Sequence, residues 1–189
     1  MAKEKTALVL LAEGAEEMEA VITVDVLRRG KVKTTLACVG ENATNIITCS
    51  RDVKIAADTS LTDGFKNVPY DAVVLPGGLK GAQNLSASNI VKDILKEQEK
   101  RGGIIAAVCA APTALKAHEI GKGKNITSYP SFKNALDGYY KYSEERVVVD
   151  GTLVTSRGPG TCFEFALKLV ELLVDEGTAA KIQEGLLLN

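Results

Sequence analysis

The sequence has no tryptophan and a single histidine, His118, among its 189 residues. Zinc and non-haem iron sites usually draw on several histidines, so this scarcity excludes a histidine-rich metal centre, and we predict neither a metal nor another cofactor. It also restricts catalysis, because a nucleophile that needs a histidine base would have to use His118 itself. We expect His118 to lie at the surface or behind a functional site.

Long apolar runs and an excess of charge of one sign are also missing. The chain has 23 basic and 24 acidic residues, which gives no electrostatic reason to expect direct binding of nucleic acid. The apolar run Ala7–Ala12 is too short for the core of a secretory leader, and no segment reaches the roughly 18 apolar residues of a membrane span. We therefore expect a cytoplasmic protein without a membrane span.

The cysteines are far apart, without the C-x-x-C spacing of zinc ribbons and thiol oxidoreductases. They are Cys38, Cys49, Cys109 and Cys162. In a reducing compartment all of them are expected to be free thiols. For Cys38 and Cys162 a small buried apolar side chain is the more ordinary interpretation.

Apolar, β-rich segments alternate with amphipathic ones along the chain, and this alternation predicts a mostly parallel sheet with helices on both faces. The predicted strands are Thr6–Leu11, Lys33–Val39, Val53–Ala56, Asp71–Leu75, Ile104–Val108 and Asn125–Ser128. The predicted helices are Glu16–Arg29, ended by Gly30, then Ser88–Arg101, one opened by Pro112, one from Thr161 to about Val174, and one from Thr178. Asp150-Gly151 predicts a hairpin between Arg146–Val149 and Thr152–Thr155. We predict a single domain over residues 1–189.

Ligands of such sheets bind beyond the carboxyl ends of the strands, which directs attention to four segments. They are Ala12–Glu19, Pro76–Gly78, Cys109–Pro112 and Ser156–Thr161. The last is a glycine- and proline-rich loop that lacks the lysine and spacing of a phosphate-binding loop, so a structural loop is favoured over an anion site. Thr161 and Glu164 have the spacing of a capping box.

Cys109 lies between a predicted buried strand and a predicted helix, with small neighbours at Ala107, Ala110 and Ala111. This pattern is typical of a nucleophile elbow, a tight turn that exposes one reactive side chain. The positive end of the following helix would lower the pKa of the thiol. The backbone amides of Ala110 and Gly78 are candidates for an oxyanion hole.

A cluster of glutamates opens the first predicted helix. Carboxylates at such a position often do no more than complement the helix dipole. Glu17 and Glu19 each begin an apolar stripe at helical spacing, so periodicity does not choose which of them points inward. A carboxyl group beside a thiolate would have a raised pKa and would serve as a proton donor.

Four motifs and their order resemble one family. They are Gly14-Ala15-Glu16-Glu17-Met18-Glu19, Val73-Val74-Leu75-Pro76-Gly77-Gly78, Ala106-Ala107-Val108-Cys109-Ala110-Ala111-Pro112-Thr113-Ala114-Leu115 and Thr155-Ser156-Arg157-Gly158-Pro159-Gly160-Thr161. Together with Cys49-Ser50-Arg51-Asp52, they resemble the DJ-1/ThiJ/PfpI superfamily over nearly the whole chain. The resemblance implies a flavodoxin-like three-layer α/β sandwich and a homodimer.

The resemblance also implies roles for particular residues. Cys109 would be the reactive cysteine and Glu19 its partner, with the amides of Gly78 and Ala110 forming the oxyanion hole. Residues near the pocket at the dimer interface would be Arg29, Arg51 and Pro159. Cys49 would be a second oxidation-sensitive thiol beside Cys109.

Two positions depart from the family pattern. Relatives often carry a histidine before a proline near the pocket, where this chain has Tyr129 before Pro130. A family cysteine that follows the Arg51-Asp52 pair is replaced by Ala56. The first departure argues against a Cys–His proton relay, so a cysteine peptidase or glutaminase is disfavoured. A nucleotide-binding domain is disfavoured because no G-x-G-x-x-G follows a strand.

The resemblance implies a deglycase and glutathione-independent glyoxalase that acts on methylglyoxal, glyoxal or their early adducts with amines and thiols. Cys109 would attack the carbonyl or carbinol carbon, and Glu19 would give and take the proton. The alternative is a sensor of oxidative stress, or a redox-regulated chaperone with protein partners, which works through oxidation of Cys109. The resemblance also suggests nuclear and mitochondrial locations beside the cytoplasm.

Overall fold

A computed structural model describes residues 4–40 and 44–188, and its centre is a sheet of seven strands. The strands in chain order are β1 Thr6–Ala12, β2 Lys33–Val39, β3 Ile46–Thr48, β4 Lys54–Ala56, β5 Thr59–Ser60, β6 Ala72–Leu75, β7 Ile104–Val108, β8 Asn125–Ile126, β9 Lys141–Tyr142, β10 Val147–Asp150 and β11 Leu153–Ser156. The central sheet has the order β10-β11-β7-β6-β1-β2-β5, and its neighbours are parallel except β10 and β11. The pairs β3-β4 and β8-β9 form two small separate sheets.

Helices cover both faces of the central sheet. They are α1 Glu17–Arg29, α2 Leu79–Ala87, α3 Asn89–Lys100, α4 Pro112–Ala117, α5 Lys133–Leu136, α6 Cys162–Leu173 and α7 Glu176–Gly185, with short 3-10 turns at Asp63–Asn67, Pro130–Phe132 and Pro159–Thr161. Alternate residues of β1 enter two different apolar cores. Val9 packs with α1 and α6 on one face, and Leu10 packs with α3 and α4 on the other. This arrangement confirms the predicted mostly parallel sheet between two helical layers.

The bounds of most predicted elements agree with the structure to within one or two residues. Five elements were not predicted: α2 and β3, together with the short α5, β5 and β9. The first follows directly on the Pro76–Gly78 turn and has only three buried residues, so its apolar period is weak. The second is three residues long and pairs with β4.

The end of α1 at Gly30 is confirmed; the φ of Gly30 is −72°, and a Cβ there would meet Val170 at 2.9 Å. Two predictions need correction. The capping box is wrong, although α6 begins where expected, because the Thr161 hydroxyl binds the Ser156–Gly158 loop and Glu164 pairs with Arg146. His118 is not at the surface; its Nε2 donates to the Leu85 carbonyl at 2.9 Å inside the second core.

The sheet register determines which strand ends meet. Leu75 of β6 pairs with Ala107 of β7, so Gly77 and Cys109, two residues further along each chain, lie side by side. The turn after β1 reaches the same edge, where the Glu16 amide donates to the Gly77 carbonyl at 3.1 Å. Three predicted segments therefore meet at the carboxyl edge of the sheet, as the topology requires. In the described part of the chain, no helix has the length and apolarity needed to cross a membrane.

Candidate active site

Cys109 adopts the strained backbone of a nucleophile elbow. Its φ is +63°, in the left-handed region that residues other than glycine rarely occupy. Two neighbouring segments hold it there, because its amide donates to the Ser156 carbonyl at 3.0 Å and its carbonyl accepts from the Tyr129 amide at 2.9 Å. Cys109 is the partly exposed cysteine of the chain, whereas the other three are buried.

The Glu19 side chain lies against Cys109 and Gly77. Glu19 is fully buried on α1, and its Oε2 accepts a hydrogen bond of 2.7 Å from the Gly77 amide. Its Oε1 is buried without a hydrogen-bond partner among the described residues. A Cβ on Gly77 would lie 2.7 Å from the Cys109 Cβ and 2.8 Å from Glu19 Oε2, so only glycine fits between the two groups.

The thiol and the carboxyl group perturb each other's pKa. Burial raises the pKa of Glu19 to about 7. Burial, together with the charge on Glu19, raises the pKa of the Cys109 thiol to about 12. Between these values the pair holds one proton and one negative charge, with the proton on sulfur and the charge on the carboxylate.

The lowered pKa expected for Cys109 is therefore wrong for the resting site. The predicted cause was the dipole of the following helix, but α4 has only 6 residues and begins at Pro112, so its dipole is small. Burial and the contacting Glu19 carboxylate act on the thiol at much shorter range than the helix dipole does, and both raise its pKa. The raised pKa expected for a carboxyl group beside the thiol is found in Glu19, with burial rather than repulsion as its first cause.

Two backbone amides face the sulfur from different turns. The amides of Gly78 and Ala110 both lower the pKa of Cys109, which shows that they are oriented towards the developing thiolate. Gly78 has a φ of +83°, and a Cβ there would collide with the Gly14 carbonyl oxygen. Its backbone therefore depends on glycine, and the two donors have the geometry of an anion-binding pair.

Glu17 has a different environment from Glu19. Its Oε2 accepts from the Ser50 hydroxyl at 2.8 Å, and its Oε1 accepts from the Arg51 amide at 2.9 Å. Desolvation raises the pKa of Glu17, but hydrogen bonds from its own amide, from Ser50 and from the loop amides outweigh it and leave the pKa below the usual value. Glu17 therefore holds the β3–β4 turn as a carboxylate, and Glu16 caps the helix by accepting from the Glu19 amide at 2.8 Å.

A cavity of about 1110 Å³ opens above the sulfur. Its lining combines the elbow, the turn after β1, the β3–β4 turn and the start of α2. Charged side chains of both signs lie on its wall, namely Glu13, Glu16, Arg51, Asp52 and Lys80. The site is therefore open to a small polar molecule that reaches Cys109.

The structure brings most of the predicted pocket residues together. Arg51, Tyr129 and Pro159 all line the cavity. Arg29 does not line it, since it ends α1 at a distance of about 15 Å along the axis from Glu19 and pairs with Asp25 at 2.6 Å. The resemblance places Arg29 near a pocket at a dimer interface, which one chain does not test, so its role remains a prediction.

Cys49 lines the cavity but is not set up as a reactive thiol. It is buried, and burial raises its pKa to about 11, helped by the charges of Glu17, Glu16 and Glu13. Its predicted sensitivity to oxidation remains a prediction. In residues 4–40 and 44–188 there is no group of three His, Cys, Asp or Glu side chains arranged to hold a metal ion.

Sequence reasoning missed the parts played by Gly77 and Ser50. Gly77 separates the sulfur from the carboxylate and donates to Glu19, and Ser50 donates to Glu17. The Pro76-Gly77-Gly78 run was the available signal for the first, because two adjacent glycines after a buried strand exceed what a simple turn needs. No local signal pointed to Ser50.

Comparison with known proteins identifies the family. The DJ-1/PfpI family matches residues 5–172. The chain belongs to the DJ-1/PfpI family. It is 54% identical over 187 residues to the Parkinson disease protein 7 homolog of Danio rerio, with 98% of each chain covered. The crystal structure of Drosophila melanogaster DJ-1beta superposes with a TM-score of 0.95 at 49% identity, over 99% of this chain and 100% of that one.

One relative in the DJ-1/PfpI family is named for an activity. The glutathione-independent glyoxalase DJR-1.2 of Caenorhabditis elegans is 41% identical, over 92% of this chain and 91% of its own. The family therefore includes a named glyoxalase, and the flavodoxin-like fold predicted from the resemblance is confirmed by the structural match.

Proposed function

We propose that this protein is a cysteine-dependent, glutathione-independent glyoxalase and deglycase, with Cys109 as nucleophile and Glu19 as the group that moves protons. The observation that carries the proposal is the Cys109–Gly77–Glu19 arrangement, in which a partly exposed thiol and a buried carboxyl group lie against the same glycine, beside the amides of Gly78 and Ala110. The glyoxalase named among the relatives supports the same chemistry.

The resting proton distribution defines the first step. The ionised Glu19 takes the proton of Cys109 as the sulfur attacks the aldehyde carbon of methylglyoxal, so no net charge enters the buried site. A carbon–sulfur bond forms, and the carbonyl electron pair moves onto oxygen. The amides of Gly78 and Ala110 stabilise this oxyanion, which then accepts the proton from Glu19.

The remaining steps follow from the redox balance of the substrate. The aldehyde carbon must be oxidised and the neighbouring ketone carbon reduced, which requires moving the aldehyde hydrogen as a proton through an enediol. Glu19 moves that proton from the first carbon to the ketone oxygen, which gives the enediol. It then moves the hydroxyl proton of the first carbon to the second carbon, which gives a thioester of lactate on Cys109. Water then cleaves the thioester, so methylglyoxal and one water yield lactate and the free thiol.

The deglycase reaction uses the same groups on an adduct. In the early adduct of methylglyoxal with an amine or a thiol, the carbinol carbon carries a hydroxyl group and the added nitrogen or sulfur. Glu19 takes the proton of Cys109 as the sulfur attacks this carbon and donates it to the nitrogen or sulfur that leaves. The free amine or thiol is expelled, and the same hemithioacetal remains on the enzyme. The rest of the sequence to lactate is unchanged.

Lactate release from methylglyoxal by purified protein tests the proposal. Wild type is expected to produce lactate, and Cys109→Ser to reduce kcat/KM by roughly three orders of magnitude, since the alcohol is a far weaker nucleophile. Cys38→Ser is the matched control, because Cys38 is buried on β2 outside the cavity. Undiminished turnover by Cys109→Ser would overturn the proposal.

A separate observation supports a redox-sensing role for Cys109. Cys109 is the accessible thiol of the four, and the unpartnered Oε1 of Glu19 is available to bind an oxidised sulfur when the carboxyl is protonated. Peroxide would oxidise the thiolate to sulfenic and then sulfinic acid, with one water released at each step. Peptide mass spectrometry after mild peroxide should find two added oxygen atoms on Cys109, and equal oxidation of Cys49 would contradict a specific sensor.

The α1 surface supports a homodimer. Met18 and Val21 lie one turn apart on α1 and are 53% and 51% exposed, and Arg29 lies on the same stripe. A second copy on this face would cover apolar surface beside the cavity rim, where Met18 is also a lining residue. Sedimentation of wild type and Val21→Glu tests this: a dimer that becomes monomeric supports it, and a monomeric wild type refutes it.

A further inference from the structure

A second recess, which we call the side recess, opens from the main cavity between α2, α4 and α5. Its volume is about 530 Å³. Its lining residues are Leu79, Ala82, Gln83, Ser86, Ala87, Ala110, Thr113, Phe132 and Ala135. Leu79, Gln83, Ala110 and Phe132 also line the main cavity. Because Ala110 lines both spaces and directly follows Cys109, which lines the main cavity, the side recess adjoins the part of the main cavity that holds the reactive cysteine.

The side recess differs from the main cavity in chemistry. None of its lining residues carries a charge, whereas the main cavity has acidic and basic side chains on its wall. Its two hydroxyl groups already donate to the backbone, Ser86 to the Ala82 carbonyl at 2.7 Å and Thr113 to the Ala110 carbonyl at 2.6 Å. The side recess therefore offers methyl groups and aromatic carbon to whatever enters it, and little hydrogen bonding.

We propose that the side recess holds the uncharged, apolar substituent of the substrate whose aldehyde carbon reacts at Cys109. This inference rests on the proposed glyoxalase chemistry and names the substrate class more narrowly. A substituent attached to the ketone carbon lies only two bonds from the attacked carbon, so when the substrate lies over Ala110, which lines both spaces, the substituent reaches the side recess. The preferred substrates are α-oxoaldehydes with branched alkyl or other bulky apolar groups, since methyl leaves the recess unfilled.

The polarity of the two spaces argues for this occupant. A charged substituent would lose its hydration in the side recess without gaining a partner, and it would be better placed among the charged groups of the main cavity. An apolar substituent gains from leaving water, and pockets that accommodate extra methylene groups discriminate by roughly 10- to 200-fold. We therefore expect kcat/KM for isobutylglyoxal to exceed that for methylglyoxal by about tenfold or more.

Substitutions that fill the recess test the proposal. Ala87 and Ala135 are exposed residues on its wall, so Ala87→Phe and Ala135→Phe occupy it without disturbing a core. Each is expected to lower the ratio of kcat/KM for isobutylglyoxal to that for methylglyoxal by about tenfold. Ala117→Phe is the matched control, because Ala117 is exposed on α4 and lines neither space. A wild-type preference for methylglyoxal, or a ratio that both filling variants leave unchanged, overturns the inference.

Alkylation of Cys109 separates this inference from the proposed function. The rates of modification by iodoacetamide and by its N-isobutyl derivative are followed on the Cys109 peptide by mass spectrometry. If wild type makes no lactate, the glyoxalase proposal fails, and the alkylation ratio still decides about the recess. A preference for the isobutyl reagent that Ala135→Phe abolishes and Ala117→Phe retains supports the recess, and equal ratios in all three proteins refute it.

Discussion

Glu17 and Glu19 are two residues apart on α1, and both are buried. Their surroundings on the two sides of the helix nevertheless shift their pKa values in opposite directions. At 3.6 residues per turn they point about 200° apart around the axis. Glu17 meets the β3–β4 turn, which supplies the Ser50 hydroxyl and the Arg51 amide. Glu19 meets the Pro76–Gly78 turn, which supplies the Gly77 amide, and the elbow after β7, which supplies the thiol of Cys109.

The number of donors accounts for the difference. Each oxygen of Glu17 has a partner from the β3–β4 turn, so the carboxylate is satisfied and its pKa falls. One oxygen of Glu19 has none among the described residues, so burial prevails and its pKa rises to about 7. Glu17 thus holds the β3–β4 turn as a carboxylate, whereas Glu19 is suited to taking up and releasing a proton.

The largest expected effect is on turnover. Glu19→Gln should lower kcat/KM for methylglyoxal roughly 100-fold or more, because glutamine keeps the hydrogen bond from Gly77 but cannot carry a proton. Glu17→Gln is the matched variant and should cost less than about tenfold, through a looser β3–β4 turn. Lactate assays across pH give the comparison, and equal losses in the two variants would show that the carboxylates are not functionally distinct.

The pH dependence of stability should have opposite signs at the two positions. Glu19 has a folded pKa of about 7 against an ordinary value of 4.5, so the stability that its neutral form contributes is complete at low pH and is lost as pH rises through about 7. The loss is of the order of 3 kcal/mol. Urea unfolding between pH 4 and pH 8 should therefore show that the free energy of unfolding of Glu19→Gln, relative to that of wild type, increases as pH rises. A parallel pH dependence would contradict the raised pKa.

Gly77→Ala should disturb the surroundings of Glu19 and leave those of Glu17 unchanged. Its Cβ would meet Cys109 at 2.7 Å and Glu19 at 2.8 Å, and overpacking of this kind costs about 1–3 kcal/mol. We expect a lower melting temperature together with a loss of turnover, because the sulfur and the carboxylate are pushed apart. Gly185→Ala serves as the control, since nothing lies within 4 Å of its Cβ position. Full activity in Gly77→Ala would show that this spacing does not matter.

The smallest expected effect is on the Glu17 side. Glu17→Gln should destabilise the fold at pH 7 by about 1–2 kcal/mol, because two hydrogen bonds to a carboxylate are weakened. Since the folded pKa of Glu17 is lowered, its contribution is present above its unfolded pKa and is lost as pH falls through the folded value. Urea unfolding should thus show the deficit shrinking below about pH 4. Ser50→Ala removes one donor and should show a smaller deficit.

Much of the fold was predictable because the preference of each segment for strand or helix agrees with the burial that the whole fold gives it. β1 is a run of buried apolar residues that needs helices on both sides, and α1 has a cap at Glu16 and a stop at Gly30. α2 escaped prediction because its helical conformation depends on packing against α4 and β1 more than on its own apolar period. The segment Ile46–Thr48 is too short to be recognised without its partner strand.

The site was predictable in its members and not in its electrostatics. Cys109 and Ala110 were identifiable from the elbow pattern, and Gly78 from the Pro76-Gly77-Gly78 turn. The choice between Glu17 and Glu19 was not, because both are buried and only the turns opposite them differ. The pKa of Cys109 was also out of reach, since it depends on burial and on a carboxylate that the chain brings from 90 residues away in sequence.

The pairing of Leu75 with Ala107 sets the distance between Gly77 and Cys109 in the candidate active site. Since Gly77 and Cys109 follow these residues at the same interval, their separation is fixed by the sheet and not by the loops around the cavity. Changes in the length or sequence of the other rim segments can therefore alter substrate and partner preferences without moving the sulfur relative to the Gly77 amide, which binds the Glu19 carboxylate. A single residue inserted inside β6 or β7 has no such freedom, because it would shift every contact of the site at once.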